Sequence, residues 1–235
     1  MPEPSRPPLV LCAHGTRDPA GRATVREVVA AAAERLPGVV VLEAFVDVHG
    51  PTVDEVVGAL PRADGDAVAG VVVPLLLAAG YHVHVDIARA VADRPDVRVT
   101  GALGPDDRLV DILVERLEAA GAVREAAVVL APAGSSDARA QADSADMAAR
   151  LGRRWGATVS LGYAAGPAPT VADAVAAARD ASAGQQVAVA SYLLAPGFFQ
   201  ARVEASGADV VTGPVAPHPH VVGIVLARYR AALEA

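Results

Sequence analysis

The sequence predicts an α/β protein of two similar lobes related by internal duplication, each a four-stranded parallel sheet flanked by helices. Three observations lead there. Short β-branched runs alternate with alanine-rich segments of helical period, as in parallel strands joined by crossover helices. The strand candidates are apolar throughout, so both faces of each sheet must be covered. The pattern is also written twice. His14 to Asp18 after one apolar run is echoed by Ala133 to Asp137 after another, and the stretch from Glu43 to Thr52 by Leu161 to Thr170. Pro74 to Val83 is repeated as Ser191 to Gln200, and Thr100 to Pro105 as Thr212 to Pro217. The duplication divides the chain into lobes of residues 1–122 and 123–235, with the seam at Gly121–Glu125.

In order along the first half, strands are expected at Leu9–Ala13, Val39–Val46, Val68–Leu77 and Val97–Gly101. The helical period falls between and after them, at Ala20–Leu36, Thr52–Leu60, Val83–Ala92 and Asp106–Ala120. The second half repeats the order, with strands near Ala127–Ala131, Ala157–Tyr163, Gln186–Leu194 and Asp209–Thr212. Its helices fall near Asp137–Arg153, Thr170–Ala181, Phe199–Ala205 and Pro219–Leu233. No long linker separates the copies, so the lobes should pack tightly, with a cleft between them.

Composition excludes several classes of function. A net charge of −7 and 3% aromatic residues argue against nucleic acid as the main partner, which needs clustered cations and stacking platforms. Apolar runs such as Val71–Ala79 are too short to span a bilayer, and Met1–Pro8 has no hydrophobic signal core, so the expected location is the cytoplasm. The single cysteine, Cys12, reads as a buried, inert thiol. All basic residues are arginine, whose planar fork suits carboxylates.

The two copies differ in their polar groups: Ala133 stands where His14 does, Leu161 where Glu43 does and Phe199 where His82 does. One active and one supporting half is the simplest reading. Ligands of open parallel sheets bind beyond the carboxyl ends of the strands, where His14, Glu43 and His82 are all expected to face one rim. Each has a plainer alternative. His14 and His49 would serve as loop residues, and Glu43 could turn its carboxylate to solvent at a strand end. For a charged residue inside so apolar a run, that or a partner is required. His82 would open a helix after Gly80, His84 would point elsewhere, and His218 and His220 read as a surface loop. Two histidines and a carboxylate at one cleft suit a borderline-soft divalent ion and leave coordination positions open.

Taken together, these residues resemble the sirohydrochlorin chelatase group of the class II tetrapyrrole metal chelatases, in a fused two-lobe form. The resemblance rests on His14 to Arg17, on Glu43 with Phe45 and Pro51, and on Pro74 to Leu77 before Gly80, Tyr81 and His82. Asp86 with Ile87, and Leu103 to Pro105, complete it. It spans most of residues 9–117, with degraded copies over 127–229. It implies ATP-independent insertion of Fe2+ or Co2+ into sirohydrochlorin or a related tetrapyrrole, for sirohaem or cobalamin. The ion is a substrate, Ni2+ and Zn2+ are further ions in vitro, and no organic cofactor is implied. By the same resemblance His14, His82 and Glu43 are the metal ligands and catalytic residues, all in the first lobe. Arg17, Gly80, Arg89, Phe198 and Arg202 are the candidates to hold the macrocycle, whose rim carries carboxylates. Family members of half this length form the two lobes by dimerising, so this chain is expected as a monomer, with a dimer as the alternative.

Two rivals remain at this level. The run from His14 to Arg17 superficially matches a histidine phosphatase signature, but Ala13 stands where that signature has arginine. A metal or tetrapyrrole carrier without turnover would use the same residues.

Overall fold

The computed structural model describes residues 6–78, 82–182 and 184–234, of which 82–84 by backbone alone. It contains two four-stranded, wholly parallel sheets. The first has strand order β2-β1-β3-β4, from β1 (Leu9–Ala13), β2 (Val41–Phe45), β3 (Gly70–Pro74) and β4 (Val97–Val99). The second repeats it as β6-β5-β7-β8, from β5 (Ala127–Pro132), β6 (Val159–Leu161), β7 (Val187–Tyr192) and β8 (Val210–Val211). The helices joining them in the first half are α1 (Pro19–Glu34), α2 (Val53–Ala59), a π-helical turn (His82–Ile87) running into α3 (Ala88–Ala90), and α4 (Asp107–Ala119). In the second half they are α5 (Ala138–Trp155), α6 (Val171–Ala181), α7 (Phe198–Glu204) and α8 (Pro219–Glu234). Every strand and helix expected from the pattern is present, with ends shifted by a few residues.

Local chemistry sets these boundaries in both copies alike. Asp18 accepts from the Ala20 N–H and Asp137 from that of Arg139, so the same carboxylate cap opens α1 and α5. Thr52 with Glu55 and Thr170 with Asp173 form reciprocal capping boxes at the starts of α2 and α6.

Strand alternation then sorts side chains into layers. Leu9, Leu11 and Ala13 of β1 face the centre of the molecule, whereas Val10 and Cys12 face an outer layer with Val53, Val57 and Ile87. Burial pushes the Cys12 thiol up to about 12, which keeps it protonated and unreactive, as read from its setting. The central core runs through both halves without a break: Leu11 and Val73 belong to the same cluster as Leu113, Leu130, Tyr192 and Ile224.

The sequence does not foretell which helices cover which sheet. α8, the last helix of the chain, packs on β3 and α1 of the first sheet, and α4, the last helix of the first half, packs on β7 and α5 of the second. The two exchanged helices also touch each other. Tyr229 of α8 donates to the Pro7 carbonyl ahead of β1 at 2.6 Å, and Arg98 of β4 donates to the Ala232 carbonyl. On the other side Arg150 pairs with Asp107 at 2.7 Å and Arg154 with Asp111 at 3.4 Å, tying α5 to α4. A boundary at 122/123 falls between α4 and β5, yet each half completes its core with a helix from the other.

Candidate metal and macrocycle site

The loops at the carboxyl ends of the first sheet lie side by side because β1 is flanked by β2 and β3. Ala13 pairs with Phe45 and Cys12 with Pro74, so the segments starting at His14, Val46 and Leu75 leave the sheet at nearly one level. The Leu75 N–H donates to the Cys12 carbonyl at 2.7 Å, carrying the pairing one step beyond β3.

His14 is half-buried in a loop that crosses closely over the one after β2. The Asp47 N–H donates to the His14 carbonyl at 3.0 Å. Gly15 has φ of +100°, and a Cβ there would stand 2.1 Å from the Asp47 carbonyl oxygen, so only glycine allows the two loops to meet. Asp47 is exposed at the rim, where its Oδ1 accepts from the Val48 N–H at 2.6 Å. Val48 adopts φ of 73°, uncommon for a β-branched residue and in keeping with a loop held by its neighbours. Beneath it the His49 ring packs on Phe45 with centroids 4.0 Å apart, and its Nδ1 lies 3.2 Å from the Gly50 carbonyl.

Glu43 lies within β2, the strand expected to carry it. It is the middle residue of β2, paired with Leu11, and shares a strand face with Val41 and Phe45 toward α1. β2 ends at Phe45, so the rim begins beyond it and Asp47 is the carboxylate that joins His14 there. Glu43 is tolerated because β2 is an edge strand and leaves it half-exposed. Asp47 was legible only as the rim carboxylate that Ala165 replaces in the second copy.

His82 opens the π-helical turn after β3; its side chain, like Gly80 altogether, lies outside the described residues. An inserted residue of this kind re-aims the side chains around it, and π turns recur at functional sites. Asp86 of this turn pairs with Arg89 at 3.6 Å, and Arg89 is largely exposed. Among the described residues, no three His, Cys, Asp or Glu side chains are grouped closely enough to hold a metal ion.

The second half supplies the opposing wall. A Cβ on Gly21, at the start of α1, would stand 2.6 Å from the Pro196 carbonyl, and one on Gly197 3.5 Å from the Thr16 hydroxyl. The loop that opens α7 therefore abuts the His14 loop, where Gly197 faces Thr16 and Asp18. Phe198 is 69% exposed, the most exposed large apolar side chain among the described residues. It packs edge-on to Phe199 with centroids 5.6 Å apart, and the Arg202 guanidinium lies 5.7 Å from its ring centre. An exposed aromatic face beside a guanidinium suits a flat ring with carboxylates.

The other histidines and recesses serve elsewhere. His218 accepts from the His220 N–H at its Nδ1 and lies 3.0 Å from Glu115 through Nε2, which fastens the start of α8 to α4. A recess of about 790 Å3 between α5 and β6 and one of about 340 Å3 around Glu115 and Arg154 contain no residue of the first sheet's rim loops.

Two like parallel α/β halves, with His14 at the rim of one and the Phe198 loop of the other beside it, make up the two-lobed fold of the class II chelatases. More particularly, the chain belongs to the CbiX family, whose model matches residues 8–120 and again 127–232. The sirohydrochlorin chelatase SirB from Bacillus subtilis subspecies spizizenii, in complex with cobalt, is similar in structure with TM-score 0.77 and 22% identity over 97% of this chain and 96% of that one. SirB from Bacillus subtilis with Fe3+ gives 0.74 and 21% over the same shares. CbiX, the terminal enzyme for biosynthesis of siroheme in denitrifying bacteria, gives 0.69 and 25% over 96% and 99%. No curated protein matches significantly.

Proposed function

We propose that this chain inserts Fe2+ or Co2+ into sirohydrochlorin without ATP, on the way to sirohaem or cobalamin. The observation that carries this reading is membership of the CbiX family over both halves, in a chain whose second copy has Ala133 and Phe199 in place of His14 and His82. The solved SirB with cobalt and with Fe3+ supports the choice of ions.

Insertion exchanges two pyrrole N–H protons for one divalent ion, with no change of oxidation state. We assign His14 and His82 to hold the ion and to accept the departing protons. Asp47 supplies the carboxylate in place of Glu43, because it shares the rim with His14 through the Asp47 N–H to His14 carbonyl bond. Three protein ligands leave positions open for ring nitrogens, so the ion is handed over stepwise. Holding ion and ring together supplies the proximity that free solution lacks. Phe198 stacks on the macrocycle, and Arg17, Arg89 and Arg202 meet its carboxylates. Residues 1–122 carry the metal site and 123–235 the supporting lobe, in a monomer that works in the cytoplasm. No helix among the described residues is long and apolar enough to cross a membrane.

The test is anaerobic conversion of metal-free sirohydrochlorin to its metallated absorption spectrum, with each ion, against an enzyme-free control. Equal rates with and without protein overturn the proposal and leave a carrier. Asp47→Asn should lower turnover by about 100-fold, the usual scale for a lost ligand or proton acceptor, while Glu43→Gln stays within about threefold. The reverse ranking returns the role to Glu43.

A further inference from the structure

We infer that Tyr192, from the half in which Ala133 and Phe199 replace His14 and His82, is a positioning residue for the reaction: its hydroxyl fixes Leu77, at the start of the stretch that follows β3. The inference rests on the assignment of His82 to the ion. Tyr192 ends β7 and is 2% exposed, and its hydroxyl donates to the Leu77 carbonyl at 2.8 Å, across the boundary between the halves. The preceding carbonyl, that of Leu76, accepts from the Leu103 N–H at 2.8 Å, so two consecutive peptide groups are held. Leu77 lies five residues before His82.

Space for this bond is kept open by a glycine. A Cβ on Gly104 would stand 2.2 Å from the Tyr192 hydroxyl and 2.5 Å from the Leu77 carbonyl oxygen. Burial pushes the phenol pKa well up, so the hydroxyl stays a donor wherever the protein is folded. The bond has no counterpart in the other direction, because Leu75 occupies the equivalent place in the first half. A residue of one half thus holds the start of the rim loop of the other.

The test compares wild type with Tyr192→Phe, which removes only the hydroxyl, and with Gly104→Ala, whose methyl group intrudes on the same bond. The probes are Co2+ alone, read by its visible absorption bands on the protein, and the complete insertion assay. Both variants should lower kcat by about tenfold with KM for sirohydrochlorin little changed, and weaken Co2+ binding by a similar factor. The melting temperature of Tyr192→Phe should fall by only a few degrees, about what one lost hydrogen bond costs. A Tyr192→Phe protein that binds and inserts Co2+ like wild type overturns the inference. So does one whose stability falls while its Co2+ bands and kcat stay. If wild type itself inserts no metal, the proposed function fails instead.

Discussion

The two rims of this protein share a scaffold and differ in what it carries. Gly15 and Gly134 adopt the same left-handed φ, and both press against the carbonyl of the neighbouring loop, of Asp47 in one half and Ala165 in the other. Beside these equal frames stand His14 and Ala133. The third loops differ most. In the second half, α7 is bolted to its sheet by Gln200, which is 5% exposed. Gln200 accepts from the Ser191 hydroxyl at 2.6 Å and donates to the Thr212 carbonyl at 3.1 Å. In the first half Val83 and Pro74 stand where Gln200 and Ser191 do, so that bolt cannot form, and a π-helical turn replaces the regular helix. The half without His14 and His82 thus carries a fastening that the other cannot form. In the first half the Leu77 carbonyl ahead of that turn accepts instead from Tyr192 of the other half.

The sharpest way to break this comparison is to exchange the residues that distinguish the rims. His14→Ala should lower insertion by at least about 100-fold with the melting temperature preserved. Ala133→His added to it should restore nothing, since Ala165 and Phe199 leave the new imidazole without companions. Recovered turnover in the double variant would mean that the second rim is still competent.

A smaller effect separates the lower ends of the lobes. Arg94 is 6% exposed; its guanidinium grips Asp96 at 2.9 and 3.0 Å and donates to the carbonyls of Val57, Leu60 and Pro61 at the end of α2. In the second half Asp209, one position beyond the one that aligns with Asp96, is held by the half-exposed Arg179 at 3.0 Å. Arg94→Met should destabilise the fold by about 3 kcal/mol, because it strands a buried carboxylate and several carbonyls. Arg179→Met should cost a fraction of that, as exposed pairs do. Chemical denaturation of both variants gives the ranking.

Acid should act through the same two carboxylates. The Arg94 guanidinium holds Asp96 well below the usual carboxylate range, and the Val187 N–H and then Arg179 lower Asp209. A carboxylate whose pKa is lower folded than unfolded stabilises the protein above the unfolded value. That contribution is lost as pH falls below about 4. Melting temperature should therefore drop on acidification in that window, and the drop should shrink in Arg94→Met. The smallest expected change is at the wall: Phe198→Ala should raise KM for sirohydrochlorin several-fold with kcat nearly kept, the signature of lost uniform binding.

Much of this was legible because the chain states its pattern twice. The strands could be read from runs such as Val71 to Val73, buried on both faces, and the active half from where His14 and His82 lack partners in the repeat. Glu43 drew attention as a charge inside an apolar run, a signal that reports an exposed edge strand as readily as a site. Asp47 carried no such contrast with its neighbours in the loop; beyond its replacement by Ala165 in the repeat, the approach of Gly15 reveals its place. The π-helical turn is invisible in six residues because one extra residue barely alters their apolar spacing. The exchange of α4 and α8 was equally hidden: periodicity says which face of a helix is buried, not which sheet buries it.

That exchange has a consequence for how unlike halves came to live in one chain. Two separate copies would carry every substitution in both members of the pair, so a damaged rim would always be doubled. Covalent succession guarantees that each strand layer meets a cover encoded by its sibling, and that the siblings are never identical. One rim can then change its side chains while the other keeps its own.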